Sequence, residues 1–490
     1  MALAALGWLI LAACPPGADP CRVDEDCRDN ELCVEAACLT VCNSDLDCGR
    51  RELCDDGVCW PEPDADAAGT PDSGADAAVR DASSADRAAA DTTAADLPST
   101  QDAARPDSAG DIDASLHPSG CGTIGALQDN FDDSQLGWQW SSYGESGVTA
   151  AERDGRLELS IGAGVADRFG WVRSDFAADL RGDAVSVRVA QAPTTAGVEA
   201  FLDFDGGQDG YISFSLYAGG LAAIVNQGGS NTAFEEIPYD AATHRFWRIG
   251  EVAGRVHLDT SPDRTSWTTH VDVPSPSYVG LGRAALGIGA VDAVGAADHV
   301  VFDDLNTDRA PPPWCQASGF SDAFDQGALS REWELFGPES CTAVQRGGHV
   351  TVGNGEDCFL YTARVFAFDQ VLVELLSEPQ DEPLARAVLA VYAPSGRWAE
   401  LGVRGGNLHA WIDSGALLGD FPLLDRRWLR LRRSGTNLLF EARGSAGPWE
   451  LLHSAAWSAG EGPVFAAVGL DCRDCDGDAH GASFDNFNLD

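Results

Sequence analysis

No lysine occurs in this chain of 490 residues; all 32 basic residues are arginine, and they stand against 77 Asp and Glu for a formal net charge of -45. Such an imbalance opposes contact with polyphosphates and anionic bilayer faces, so no nucleic-acid partner is expected. The single methionine is at position 1. No apolar run reaches the roughly 18 to 20 residues that a membrane-spanning helix requires. Histidine is sparse and dispersed, with no H-E-x-x-H and no nucleophile elbow. Metal-dependent and serine-type hydrolysis therefore have no visible carriers. Long amphipathic helical stretches are missing too, which removes the helical and α/β classes.

Cysteine, by contrast, is plentiful: 15 in all, eight of them between Cys21 and Cys59. So many thiols imply an oxidising compartment. Residues 1–13 are an apolar segment too short to cross a bilayer and read as a signal peptide. The segment ends in Leu11-Ala12-Ala13-Cys14, which resembles the bacterial lipobox. That resemblance implies lipidation of Cys14 and a membrane partner reached through the lipid. It also implies a place in the cell envelope, at the outer membrane or cell surface.

Residues 14–60 form a cysteine-rich module. Cys21, Cys27, Cys33 and Cys38 are repeated with identical spacing as Cys42, Cys48, Cys54 and Cys59, and Glu31-Leu32-Cys33 returns as Glu52-Leu53-Cys54. Units this small cannot bury enough apolar surface to fold unaided, so disulfides are expected to restrict the unfolded chain. Zinc is disfavoured because the quartets contain neither C-x-x-C nor His. The pattern resembles the Dickkopf-like cysteine-rich repeats of exported myxobacterial proteins. Residues 61–119 are dominated by Ala, Asp, Ser, Thr and Pro and hold no Phe, Trp or Tyr, a composition expected to remain a disordered, extended spacer.

Two regions, 120–310 and 316–490, carry short alternating runs separated by Gly, Asp and Pro turns, such as Leu157, Leu159, Ile161 and Ile212, Phe214, Leu216. This predicts an all-β fold, two tandem antiparallel β-sandwiches of jelly-roll type. The regions repeat one another. Asn130-Phe131-Asp132 matches Ala323-Phe324-Asp325, Trp247-Arg248 matches Trp428-Leu429-Arg430, Trp267 matches Trp449, and Phe302-Asp303-Asp304-Leu305-Asn306 matches Phe484-Asp485-Asn486-Phe487-Asn488. The opening Phe-Asp strand, the Trp-Arg strand, the Ser261 to Trp267 hairpin and the closing Phe-Asp strand resemble the concanavalin A-like lectin/glucanase superfamily, including laminin G-like domains. The resemblance implies a jelly roll that recognises carbohydrate or protein. Because that superfamily also holds glycosidases, it leaves a glycan-active enzyme as an alternative, with a structural envelope protein as a third.

Laminarinase-like glycosidases carry Glu-x-Asp-x-x-Glu on one strand, and this motif is absent. The nearest pairs, Glu199 with Asp203 and Glu374 with Glu378, are four residues apart, roughly 13 Å on a strand and too wide for paired carboxylate chemistry. Glu235 and Glu236 are adjacent and face opposite ways. The expectation is accordingly a non-catalytic, surface-anchored binding or adhesion lipoprotein. Asp203, Asp205 and Asp209 stand at spacings that fit either a structural calcium ion or a solvated Asp-Gly turn, and no other cofactor is expected. Cys121 and Cys315 bracket the first repeat as a staple. Cys341, Cys358, Cys472 and Cys475 make two bridges of open connectivity. Trp247 and Trp428 are assigned to the core, whereas Trp138, Trp140, Trp171 and Trp398 are candidates for exposure.

Overall fold

The computed structural model describes residues 31–34, 37–40, 52–55 and 58–61, then 121–489 except 218, 339, 354–356, 380–384, 414–415, 458–461 and 473–480. The chain divides into two compact units, residues 1–110 and 111–490. In the first, Glu31–Val34 pairs with Ala37–Thr40 and Glu52–Asp55 with Val58–Pro61, placing Cys33 opposite Cys38 and Cys54 opposite Cys59. Cys14, Cys21, Cys27, Cys42, Cys48 and Cys475 lie outside the described residues, as do the signal segment and nearly all of the spacer. Among the described residues no helix is long and apolar enough to cross a membrane.

The second unit contains four seven-stranded sheets, arranged as two sandwiches. One sheet of the first sandwich runs Ser230–Pro238, Gly220–Gln227, Tyr211–Tyr217, Val198–Asp205, Arg283–Ala290, Arg168–Ser174, Trp140–Gly144. Its partner sheet is centred on Ala184–Gln191 and Asp298–Asp303. The second sandwich repeats this order, beginning Trp333–Phe336, Cys358–Thr362, Phe465–Asp471, Arg386–Tyr392, Trp398–Arg404. All strand pairings are antiparallel, and 3-10 turns are the only helical elements among the described residues. Alternation explains the layering: Val198, Ala200, Leu202 and Phe204 are fully buried between the sheets, while Glu199, Phe201, Asp203 and Asp205 point the other way.

The repeated motifs are locks that close each sandwich. Asn306, in left-handed conformation at φ 51°, donates its amide to the carbonyls of Ile124 and Leu127 and accepts from Ser186 N–H. Asn488, at φ 54°, does the same with Ala317, Phe320 and Leu372. At the opening strand, Asp129 accepts from Trp140 Nε1 at 2.7 Å and Asp322 from Trp333 Nε1 at 2.9 Å. Trp140 is thereby buried, contrary to the expectation of exposure. Trp428 departs in the other direction. Leu429 takes the inward place of Trp247, because each immediately precedes the matched arginine, and Trp428 turns outward beneath Arg443 at 4.8 Å.

Cys121 and Cys315 are disulfide-bonded, as are Cys341 and Cys358; Cys472 is disulfide-bonded as well. The sandwiches share a packed junction. Ala177 N–H donates to the Ala363 carbonyl at 2.8 Å, and Ala177, Leu281 and Ala363 form a small apolar contact. Arg364, which pairs with Glu332 at 2.8 Å, also donates to the Gly280 carbonyl; both members of the pair are 5% exposed. Val365 of the second repeat packs into the core of the first.

Candidate functional site

The outer face of the sheet holding Val198–Asp205 gathers the chemistry of the first sandwich. Along that strand, Glu199, Phe201, Asp203 and Asp205 form one row. Strand register sets Tyr217, Ser215, Ser213 and Tyr211 on one side of them and Gly289, Gly287, Ala285 and Arg283 on the other. The next strand adds Phe169, Trp171 and Arg173, and the edge strand adds Tyr143 opposite Trp171.

Glycine makes room for the rings. A β-carbon on Gly287 would lie 1.9 Å from the Phe201 ring, and one on Gly289 would lie 2.0 Å from the Phe169 ring. Both rings therefore rest on bare backbone and leave a low floor. Above it, Tyr143 stacks on Trp171 with centroids 4.3 Å apart, and Tyr143 and Tyr211 are each 37% exposed. Such rings supply apolar area with a polar tip at small entropic cost.

Within this floor the carboxylates differ in environment. Burial pushes Asp203 up to about 8; the negative charges of Asp205 and Glu199 reinforce the shift, and a hydrogen bond from Ser213 opposes it. Its Oδ1 is shut off from solvent and has no hydrogen-bond partner, although the side chain as a whole retains some open surface. Asp205 instead accepts from Gly207 N–H at 2.8 Å and lies 3.8 Å from Arg173 Nη1. Glu199 accepts from the Ser215 hydroxyl. Burial, together with the charges of Asp203 and Glu199, pushes the Tyr211 phenol upward.

The three aspartates considered for calcium are not brought together as ligands. Asp203 and Asp205 belong to the strand, whereas Asp209 lies in the 3-10 turn Gly207–Asp209 and pairs with Arg331 at 2.5 Å. Among the described residues no group of three or more His, Cys, Asp or Glu is placed to hold a metal ion. The glutamates of the four-residue pairs are engaged by other groups: Glu199 accepts from Ser215, Glu374 from Asn486 at 2.9 Å and Glu378 from Gly406 N–H at 3.2 Å. What the four-residue spacing passed over is Asp203 with Asp205. Two residues apart on one strand, they share a face at about 6.6 to 6.8 Å. The signal was the alternation through Phe201 to Asp205, hidden because Asp205-Gly206-Gly207 also reads as a turn.

The corresponding face of the second sandwich has changed character. Ser174 accepts from Ala284 N–H and donates to the Phe176 carbonyl; Thr362 makes the same pair of bonds with Ala466 and Arg364. Anchored there, strand register sets Arg386, Ala390 and Tyr392 where the first repeat has Glu199, Asp203 and Asp205. Glu400 replaces Ser213 on the neighbouring strand and accepts from the Tyr392 hydroxyl at 2.9 Å. Burial and the Glu400 charge push the Tyr392 phenol up, and Tyr361, with its ring 5.0 Å from that of Tyr392, is pushed up to about 12 by burial.

A cavity of about 990 Å³ lies elsewhere in the first sandwich, between Arg188, Gln191, Pro193, Tyr239 and Arg245, and no carboxylate lines it. Asp263 serves its own turn: backbone donors from Ser266 and Thr265 hold it down to about 2.

No protein-family model matches this chain, and no curated protein does. Solved structures similar to it include the catalytic domain of an endo-1,3-beta-glucanase (laminarinase) from Thermotoga petrophila RKU-1, at 10% identity and TM-score 0.30, covering 36% of this chain and 94% of that one. The beta-glucanase of Bacillus licheniformis is similar at 11% identity and TM-score 0.30, over 36% of this chain and 95% of that one. A LamAcat structure from Zobellia galactanivorans stands at 12% identity and TM-score 0.30, with 36% and 95% covered. The assignment of two jelly-roll sandwiches rests on this chain's own strand order.

Proposed function

We propose that the protein is a lipid-anchored, surface-displayed glycan-binding protein, with its principal site on the outer face of the first sandwich. The observation that carries this reading is the Tyr143–Trp171 stack beside a row of carboxylates in which Asp203 holds an unmet, solvent-shielded oxygen. Sugar rings present axial C–H groups to an aromatic face and hydroxyl donors to acceptors at its edge. Sites of this kind combine ring surface with a few fixed polar groups. The lipobox cysteine supplies the anchor and the spacer supplies reach. A glycan array probed with the full-length protein tests the reading: a defined set of glycans should bind, and Trp171→Ala should abolish the signal. Binding unaffected by that substitution would refute it.

A second reading is favoured by one specific feature. Asp203, pushed up to about 8, remains protonated at neutral pH two residues from Asp205, at a separation on the lower edge of the range for inverting glycoside hydrolysis. Asp203 would then be the acid and Asp205 the base that activates water. A polysaccharide turnover panel decides it. Product release that is lost in Asp203→Asn and Asp205→Asn while binding persists would establish an enzyme.

A further inference from the structure

The two outer faces meet. Arg283, across from Asp205 in the first sandwich, has its Nη2 at 2.7 and 2.8 Å from the two carboxylate oxygens of Glu334. Glu334 stands across from Tyr361 on the edge strand Trp333–Phe336 of the second sandwich. Arg331, beside that edge strand, donates to the Gly206 carbonyl at 2.9 Å and pairs with Asp209, fixing the turn that follows Asp205. From Glu334 the aromatic surface continues. The Phe336 ring is 5.8 Å from that of Tyr361 and 65% exposed, and Tyr361 leads to Tyr392, whose hydroxyl donates to the buried Glu400 beneath.

We infer that the two outer faces form one continuous track, joined at Arg283–Glu334, and that its occupant is a single linear, uncharged polysaccharide chain spanning both sandwiches. The inference rests on the glycan-binding reading of the first face. Two observations select this occupant. Each seven-stranded sheet extends about 29 Å from first to last strand at the usual interstrand spacing, so a track crossing the junction is far longer than a disaccharide. Cations along it, Arg173, Arg283, Arg331 and Arg386 among them, are paired with carboxylates, and the chain carries a net charge of -45, which disfavours a polyanion.

Calorimetric titration of the full-length protein with neutral gluco-, xylo- and manno-oligosaccharides, from disaccharide to polymer, tests this. Affinity should rise with length for one series. Trp171→Ala should weaken binding at every length. Phe336→Ala, at an exposed ring whose loss leaves the core intact, should leave short oligomers at wild-type affinity and weaken the polymer about tenfold. Glu334→Arg should weaken the polymer, and Arg283→Glu with Glu334→Arg should restore it. Wild-type polymer affinity in both Phe336→Ala and Glu334→Arg, with Trp171→Ala still defective, would overturn the track and leave the first face intact as a site. An unaffected Trp171→Ala would instead sink the first-face reading itself. Preference for a sulfated or uronic polymer would overturn the choice of an uncharged occupant.

Discussion

Phe201 rests against the Cα of Gly287 so closely that a β-carbon there would sit 1.9 Å from the ring. The contact joins the central acidic strand to its neighbour and flattens the floor on which Trp171 and Tyr143 stand.

Gly287→Ala is therefore expected to displace the Phe201 ring and destabilise the first sandwich by about 1 to 3 kcal/mol, the usual range for overpacking. Urea unfolding of wild type and variant measures this. Gly287→Ala combined with Phe201→Ala should recover part of the loss, and equal instability in the single and double variants would show that the clash is not the cause.

The raised Asp203 gives stability a defined pH dependence. Its ordinary value is 3.8 and its folded value about 8, so between these limits the folded state holds a proton that the unfolded chain has released. Stability must then fall as pH rises through that window. Glu152, raised to about 7 chiefly by burial, contributes with the same sign. In thermal melts from pH 5 to pH 8, wild type should lose stability relative to Asp203→Asn. Parallel pH profiles would contradict the assignment.

Arg364 and Glu332 form a buried pair at the junction, and removing one member strips the other buried charge of its ion-pair partner there. Arg364→Ala should cost about 3 to 5 kcal/mol. Removing both charges, as Arg364→Met with Glu332→Gln, should cost less than the single change. Denaturant midpoints of the three proteins provide the comparison.

If Cys14 is the lipidated residue, radiolabelled palmitate should enter the protein in a lipoprotein-processing host and be lost in Cys14→Ser. Equal labelling of the variant would remove the anchor from the proposed function.

The sequence by itself determined the class of fold and its duplication. Alternating apolar residues dictate which side of a strand is buried, and the closing Asn306 and Asn488 are legible as a repeated motif, whereas their partners Ser186 and Leu372, more than a hundred residues away, are not. The choice between turn and strand at Asp205 was not local. Asp205-Gly206-Gly207 satisfies either, and pairing with Arg283 and Tyr211 decided it. Side-chain exposure escaped in the same way: Trp140 is buried because Asp129, eleven positions earlier, accepts from its indole, and Trp428 is turned outward by its place beside the matched Arg430. Tertiary structure alone set Asp203 in a row with two other acids on a desolvated sheet face, raised its proton affinity, and brought Glu334 to Arg283. Those relations depend on desolvation and on contacts between distant strands, and neither is written in any single stretch of the chain.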